Sequence, residues 1–112
     1  MGPSPVVVVG AGPVGLAAAA ELLERDVDVL VLERGSSAGA AVSEWGHVRL
    51  FSSWKELVDP AAARLLEAGG WQRPAADRYP TGAEWVAAYL RPLAAALGDR
   101  VRTGVEVTGV AR

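Results

Sequence analysis

The chain has 112 residues, 51% of them hydrophobic, with a net charge of −2 and no cysteine. That length and apolar content fit one domain with its own core, while the near-neutral charge gives no basic footprint for nucleic acid and the missing thiols exclude a C-x-x-C redox pair, a cysteine nucleophile or a thiolate metal site. The longest apolar stretches, residues 14–20 and 27–32, fall well short of the ~20 needed to cross a bilayer, and no basic-then-apolar secretory signal opens the chain, so a cytoplasmic location is the expectation.

The first predicted element is a strand over residues 6–9. Four consecutive valines, with no polar alternation, predict a parallel strand buried on both faces. A helix over 13–25 follows, with Leu16, Ala19, Ala20 and Leu23 on one face. Asp26 stands at the helix-ending position, where a left-handed conformation is usual and Gly suits it best. Residues 27–32 predict a second strand. Residues 35–54 have no clean period but carry Trp45, His47, Arg49, Phe51 and Trp54, which favours a functional loop. Asp59-Pro60 opens a helix to about Ala68, stopped by Gly69-Gly70. Residues 72–80 are loop. Thr81-Gly82-Ala83-Glu84 is a capping box opening a helix to Leu97 that ends at Gly98, and Pro92 should kink it. A third strand is expected over 101–110, in two pieces around Gly104 or Gly109.

The opening unit has a specific meaning. Val6 to Gly15 joins an apolar run to G-x-G-x-x-G, a helix follows at once, and the second apolar run ends in an acid, Glu33. Strand, glycine turn, helix, strand and acid together are the dinucleotide-binding fingerprint, with Glu33 near the expected ~20-residue spacing. Gly10 allows the sharp turn off the strand. Gly12 lets backbone approach a pyrophosphate, and Gly15 lets helix and strand pack closely. Pro13 costs little at the first helical position, and the helix N-terminus turns its free N–H groups and positive dipole toward the phosphates. Glu33 would accept hydrogen bonds from the adenosine ribose. The bland alternative is a glycine turn in an ordinary α/β domain with no ligand.

The stretch VVVVGAGPVGLAAAAELLERDVDVLVLER, residues 6–34, resembles the amino-terminal segment of FAD-dependent oxidoreductases and monooxygenases. The stretch YPTGAEWVAAYLRPLAAALGDRVRTGVEVTGV, from residue 79, is similar to flavin-containing and Baeyer–Villiger-type monooxygenases. The resemblance implies that Gly10, Gly12, Pro13, Val14 and Gly15 form the pyrophosphate turn and that Glu33 is the ribose-binding acid. It places Arg34 beside the adenosine and implies that Val107 clasps adenine through its backbone. Residues 39–45 stand where these monooxygenases carry a Gly-Gly-x-Trp-like element near the flavin; only Gly39 and, with altered spacing, Trp45 match it. The family's later strand, substrate domain and second G-x-G-x-x-G for NADPH are not in this sequence.

The expected fold is therefore α/β, a Rossmann-like FAD/NAD(P)-binding unit with a three-stranded parallel sheet in the order 3-2-1 and flanking helices. Residues 1–112 are expected to be the N-terminal portion of such a domain, incomplete by itself. The function implied is FAD binding within a flavin-dependent, monooxygenase-like oxidoreductase, with NADPH or NADH as co-substrate in the intact family and without a complete active site in this chain. The alternative is a non-catalytic dinucleotide-binding module, or a truncated product active only in an assembly. No catalytic residue and no metal site is assigned. Trp45 and Trp54 would either stack on a flavin or anchor the loop by packing. Arg49 would either pair with a phosphate or form an ordinary salt bridge, and His47 is more often structural than functional. Besides the dinucleotide, the expected contact is self-association, or docking of a missing C-terminal part, through an exposed first strand.

Overall fold

The four valines do form a strand, β1 (Val6–Val9), and it runs parallel to β2 (Val29–Leu32) with Val6 opposite Val29 and Val9 opposite Leu32. The computed structural model describes residues 4–106. β3 (Val101–Arg102) lies parallel on the far side of β2, so the sheet order is β1-β2-β3, as expected. Of the strand expected over 101–110, residues 101–102 pair among the described residues. Gly104, at φ +70°, follows β3, and the Gly104 and Val105 N–H groups still bond Gly35 and Glu33; residues 107–112, including Val107, lie outside the described residues.

Among the described residues six α-helical segments accompany the sheet: α1 (Pro13–Glu24), α2 (Ala40–Ser43), α3 (Trp54–Leu57), α4 (Pro60–Ala68), α5 (Gly82–Trp85) and α6 (Arg91–Leu97). The core lies between α1, α4, α6 and one face of the sheet. Leu16, Ala19 and Ala20 of α1 are buried with Ala61, Ala62 and Leu66 of α4, Leu93 and Leu97 of α6, and Val29 and Val31 of β2. So many alanines at the contacts let the helices approach closely. Burial on the order of 1.5–3 kcal/mol per large side chain makes the leucines and valines the main stabilising group.

Two helices end alike. At the end of α1 the Val27 N–H donates to the Leu22 carbonyl and the Asp26 N–H to Leu23, both at 3.0 Å. At the end of α4 the Trp71 and Gly70 N–H groups bond Leu66 and Glu67 in the same pattern, both at 3.1 Å. This is the Schellman arrangement, which needs a left-handed residue at the turn. Gly70 supplies it at φ +97°, and Asp26, as its position in the sequence suggested, adopts it at φ 60° despite its Cβ.

The starts of α4 and α5 are also as expected. The Asp59 carboxylate caps α4 by accepting from Ala62 N–H at 3.0 Å, and Thr81 and Glu84 form the reciprocal capping box at the head of α5. α5 and α6 are one helix interrupted by a π turn, Val86–Leu90, in which Arg91 N–H bonds the Val86 carbonyl. Pro92 is the cause. It cannot donate to the Ala88 carbonyl four residues back and its ring crowds that turn. The helix takes a π turn at this point, the kind of interruption that accompanies a kink, and the indole N–H of Trp71 donates to the Ala88 carbonyl at 2.8 Å instead.

One expectation fails. The sheet is not buried on both faces. By the register, Val8 and Val31 point toward the helices, while Val7 and Val9 stand on the opposite face beside Leu30 and Leu32. Val7 and Val9 are 51% and 64% exposed. The apolar run predicted burial correctly only on the face that helices reach. β1 also has no strand on its outer side among the described residues.

Two outcomes are expected. Asp26→Gly should raise stability by up to about 1 kcal/mol, through removal of the Cβ from a left-handed residue; a lower melting temperature would contradict the assigned helix end. The bare edge and face of β1 should make the isolated chain associate with increasing concentration in size-exclusion chromatography with light scattering, and Val7→Lys should reduce that association. A cooperative melt from a strict monomer at high concentration would contradict it.

Candidate dinucleotide site

The glycine turn sits at the carboxyl ends of the strands, where ligands bind in open α/β sheets. Gly10 leaves β1 at φ +98°, and its N–H donates to Leu32 at 2.7 Å. A Cβ on Gly15 would fall 2.0 Å from the Gly10 carbonyl oxygen and 3.2 Å from Val8 Cγ1, so only glycine lets α1 pack this closely on β1. Gly12 differs. Its backbone is extended, and a Cβ there would meet nothing within 4 Å. It faces open space.

The head of α1 leaves its helix donors without a side-chain cap. α4 and α5 have side-chain caps, whereas Gly12, the residue before α1, offers none and no acid stands in the first turn of α1. Uncapped N–H groups at the positive end of a twelve-residue helix favour an anion by about 0.3–1 kcal/mol when exposed, and up to ~2 kcal/mol when partly buried. Val14 in that first turn is 84% exposed, so the approach is open.

Glu33 ends β2 and reaches across to the turn. One carboxylate oxygen accepts from Ala11 N–H and the other from Gly35 N–H, both at 2.7 Å. A carboxylate has about four acceptor positions, so two remain for ribose hydroxyls. A cleft of about 280 Å³ opens here, lined by Val9, Gly10, Glu33, Arg34, Val105 and Glu106. Its floor is fixed by hydrogen bonds from Val105 N–H to the Glu33 carbonyl and from Gly104 N–H to Gly35, both at 2.9 Å. Gly10, Glu33 and Arg34 thus line one cleft with Gly12 and Gly15 on the adjoining turn, while Pro13 and Val14, at the head of α1, line a separate one beside Asp59 and Trp85.

Trp45 and Arg49 make their contacts elsewhere. Residues 48–55 pair irregularly with residues 76–82, through bonds such as Leu50 N–H to Pro80 and Trp54 N–H to Arg78, both at 2.8 Å. Arg49 donates to the Tyr79 carbonyl within this pairing. The Trp45 ring lies against Gly82, where a Cβ would come within 3.0 Å of it. Trp54 is buried in the core, and His47 is exposed. The loop is therefore a docked structure with Phe51, 98% exposed, at its surface. Residues that sequence reasoning passed over, or read otherwise, also shape the site: Ala11, whose N–H and carbonyl are both engaged, Gly39, matched in sequence to an element near the flavin, whose N–H donates to that carbonyl at 2.9 Å, and Glu106 in the cleft wall. The first two act through backbone, which no side-chain pattern reveals.

Residues 7–112 match the family described as pyridine nucleotide-disulphide oxidoreductase. Among solved structures, the bacillithiol disulfide reductase from Bacillus cereus is 27% identical with a TM-score of 0.67, over 89% of this chain and 28% of that one. An oxidised steroid monooxygenase bound to NADP is 25% identical with a TM-score of 0.63, over 89% of this chain and 19% of that one. OTEMO in complex with FAD and NADP shares the fold at 22% identity and a TM-score of 0.65, over 96% of this chain and 20% of that one. The chain thus spans a fifth to rather more than a quarter of those proteins. A comparison with curated proteins gave no match. The resemblance to flavin-dependent oxidoreductases and monooxygenases is borne out by these likenesses. Fingerprint, fold and a match over nearly the whole sequence agree: this chain belongs to the pyridine nucleotide-disulphide oxidoreductase family.

Proposed function

We propose that this chain is the FAD-cradling part of a flavin-dependent, monooxygenase-like oxidoreductase, with a nicotinamide nucleotide as reductant of the intact enzyme. The observation that carries the reading is the pairing of an uncapped helix head beneath the open face of Gly12 with a strand-end carboxylate across the same turn. The two parts suit the two ends of an adenosine diphosphate moiety. The pyrophosphate would meet backbone N–H groups where any side chain would intrude, and the ribose would meet the remaining acceptor positions of Glu33.

The choice of FAD rests on the G-A-G-P-V-G-L turn with its Glu-Arg strand end and on the likeness to a steroid monooxygenase. Bound flavin would supply hydride acceptance and oxygen activation; the chain's own part is to bind and orient the dinucleotide. Arg34 and Glu106 flank the adenosine end, and Val107 would add its backbone there. Trp45 and Arg49, held on residues 79–82, would contribute on the flavin side only if the cofactor reaches that loop. A membrane-spanning helix is absent among the described residues, none being long and apolar enough.

The purified chain should be yellow, with FAD released on denaturation; a colourless protein that takes up NAD instead would favour the dinucleotide module without flavin chemistry. Gly12→Val should weaken FAD binding by about a hundredfold or more, ~2.7 kcal/mol, while leaving the fold intact, because the new Cβ meets no protein atom within 4 Å and the side chain enters the pyrophosphate space. Unchanged affinity in a fluorescence titration would refute the assignment of this turn. Glu33 should disfavour a 2′-phosphate by charge repulsion, with Arg34 opposing it, so that NAD competes for the site about tenfold better than NADP, ~1.4 kcal/mol. A preference for NADP would contradict that.

A further inference from the structure

We propose that Gly39 is a positioning residue of the dinucleotide site: it holds the Ala11–Gly12 peptide in the orientation that aims the Gly12 N–H at the ligand. The inference rests on the reading above that the glycine turn binds a dinucleotide.

Ala11 is fully buried, so its carbonyl needs a partner, and the Gly39 N–H supplies it at 2.9 Å. In a planar trans peptide, the carbonyl of one residue and the N–H of the next point in opposite directions. Fixing the Ala11 carbonyl toward Gly39 therefore turns the Gly12 N–H the other way. That N–H has no backbone partner among the described residues, and the space beside Gly12 is open. The preceding peptide is fixed in the same manner. Glu33 holds the Ala11 N–H, and the Gly10 carbonyl lies against Gly15. Two successive peptide planes are thus locked, one by an acid and one by a glycine 28 positions away in sequence.

Gly39 is itself held from below. It is left-handed, at φ 74° and ψ 16°, just before α2. A Cβ there would come 3.3 Å from Val86 Cγ2 and 3.4 Å from Leu90 Cδ1. Both neighbours are buried, Leu90 completely, and belong to the π turn, so they have little freedom to retreat. A side chain at 39 is strained at this φ and its Cβ is tight against Val86, and a backbone shift that relieves both carries the Ala11 carbonyl off the observed line. A turned peptide would present carbonyl oxygen where the ligand needs a donor.

The test compares Gly39→Ala and Gly39→Asn with Gly70→Ala, using FAD as probe and tryptophan fluorescence as the signal. Gly70 is an apt control because it is also left-handed, at φ +97°, but a Cβ there meets nothing within 4 Å. All three variants should lose thermal stability. Only the Gly39 variants should lose FAD affinity, by about tenfold, with Asn losing less than Ala because it tolerates the left-handed region. If Gly39→Ala does not fold, Gly39→Asn decides. A folded Gly39→Asn that binds FAD within twofold of the unaltered chain would overturn the proposal. Amide chemical shifts of Ala11 and Gly12 decide independently of cofactor. They should move in Gly39→Asn and not in Gly70→Ala, and unmoved shifts would overturn the proposal. A chain that takes up no FAD, yet shows those shifts moving, would refute the proposed cofactor while upholding the role of Gly39 in shaping the turn.

Discussion

The hydrogen bond between the Glu33 carboxylate and the Ala11 N–H is the contact on which the site depends. Ala11 is fully buried, and a buried N–H without a partner costs roughly 1–3 kcal/mol. A charged acceptor at 2.7 Å more than offsets this, since charge-assisted bonds are about twice as strong as neutral ones. The same carboxylate holds Gly35 N–H, so the end of β2, the turn after β1 and the start of the following loop share one anchor. A residue usually considered for what it offers a ligand is therefore also part of the frame. A substitution at this position therefore disturbs loop geometry whatever else it does.

Around that anchor the molecule is one-sided. Helices α1, α4 and α6 cover one face of the sheet, and Val7 and Val9 remain exposed on the other. Relatives of known structure are some four to five times longer than the part that this chain matches. The glycine turn and the Glu33 carboxylate lie together at the carboxyl ends of the strands. The uncovered strand surface lies on the sheet's opposite face and outer edge, apart from that turn.

The parts of this structure legible in the sequence are those set by local chemistry. Asp59-Pro60 and the Thr81–Glu84 box announce helix starts because their side chains meet N–H groups three residues away. Asp26 marks a left-handed turn because few residues tolerate one. The glycine fingerprint is legible because each glycine answers a separate steric demand, and at Gly15 the demand is severe. What was not legible depends on distant backbone. The pairing of residues 48–55 with 76–82 joins two irregular segments through main-chain groups, which leaves no periodicity to read. Burial of β1 was misjudged because an apolar run states what a strand can bury, and neighbours decide what it does bury. At the site, Glu33 was read as a ligand residue, but its grip on Ala11 and Gly35 was not, since neither partner uses a side chain.

The interrupted helix has a consequence for how the molecule is stitched together. Pro92 leaves the Ala88 carbonyl without the donor that an unbroken helix would give it, and the Trp71 indole fills the gap from outside. Trp71 directly follows the turn that ends α4, and its ring lies 6.2 Å from that of Tyr89, whose hydroxyl accepts from the Asp59 N–H at the start of α4. A vacancy in one helix has become a socket for the next segment, and both ends of α4 are moored to the same widened turn. Evolutionary replacement of Pro92 by an ordinary helix former would strengthen the helix locally while closing that socket, so the proline and the tryptophan are expected to persist or disappear as a pair.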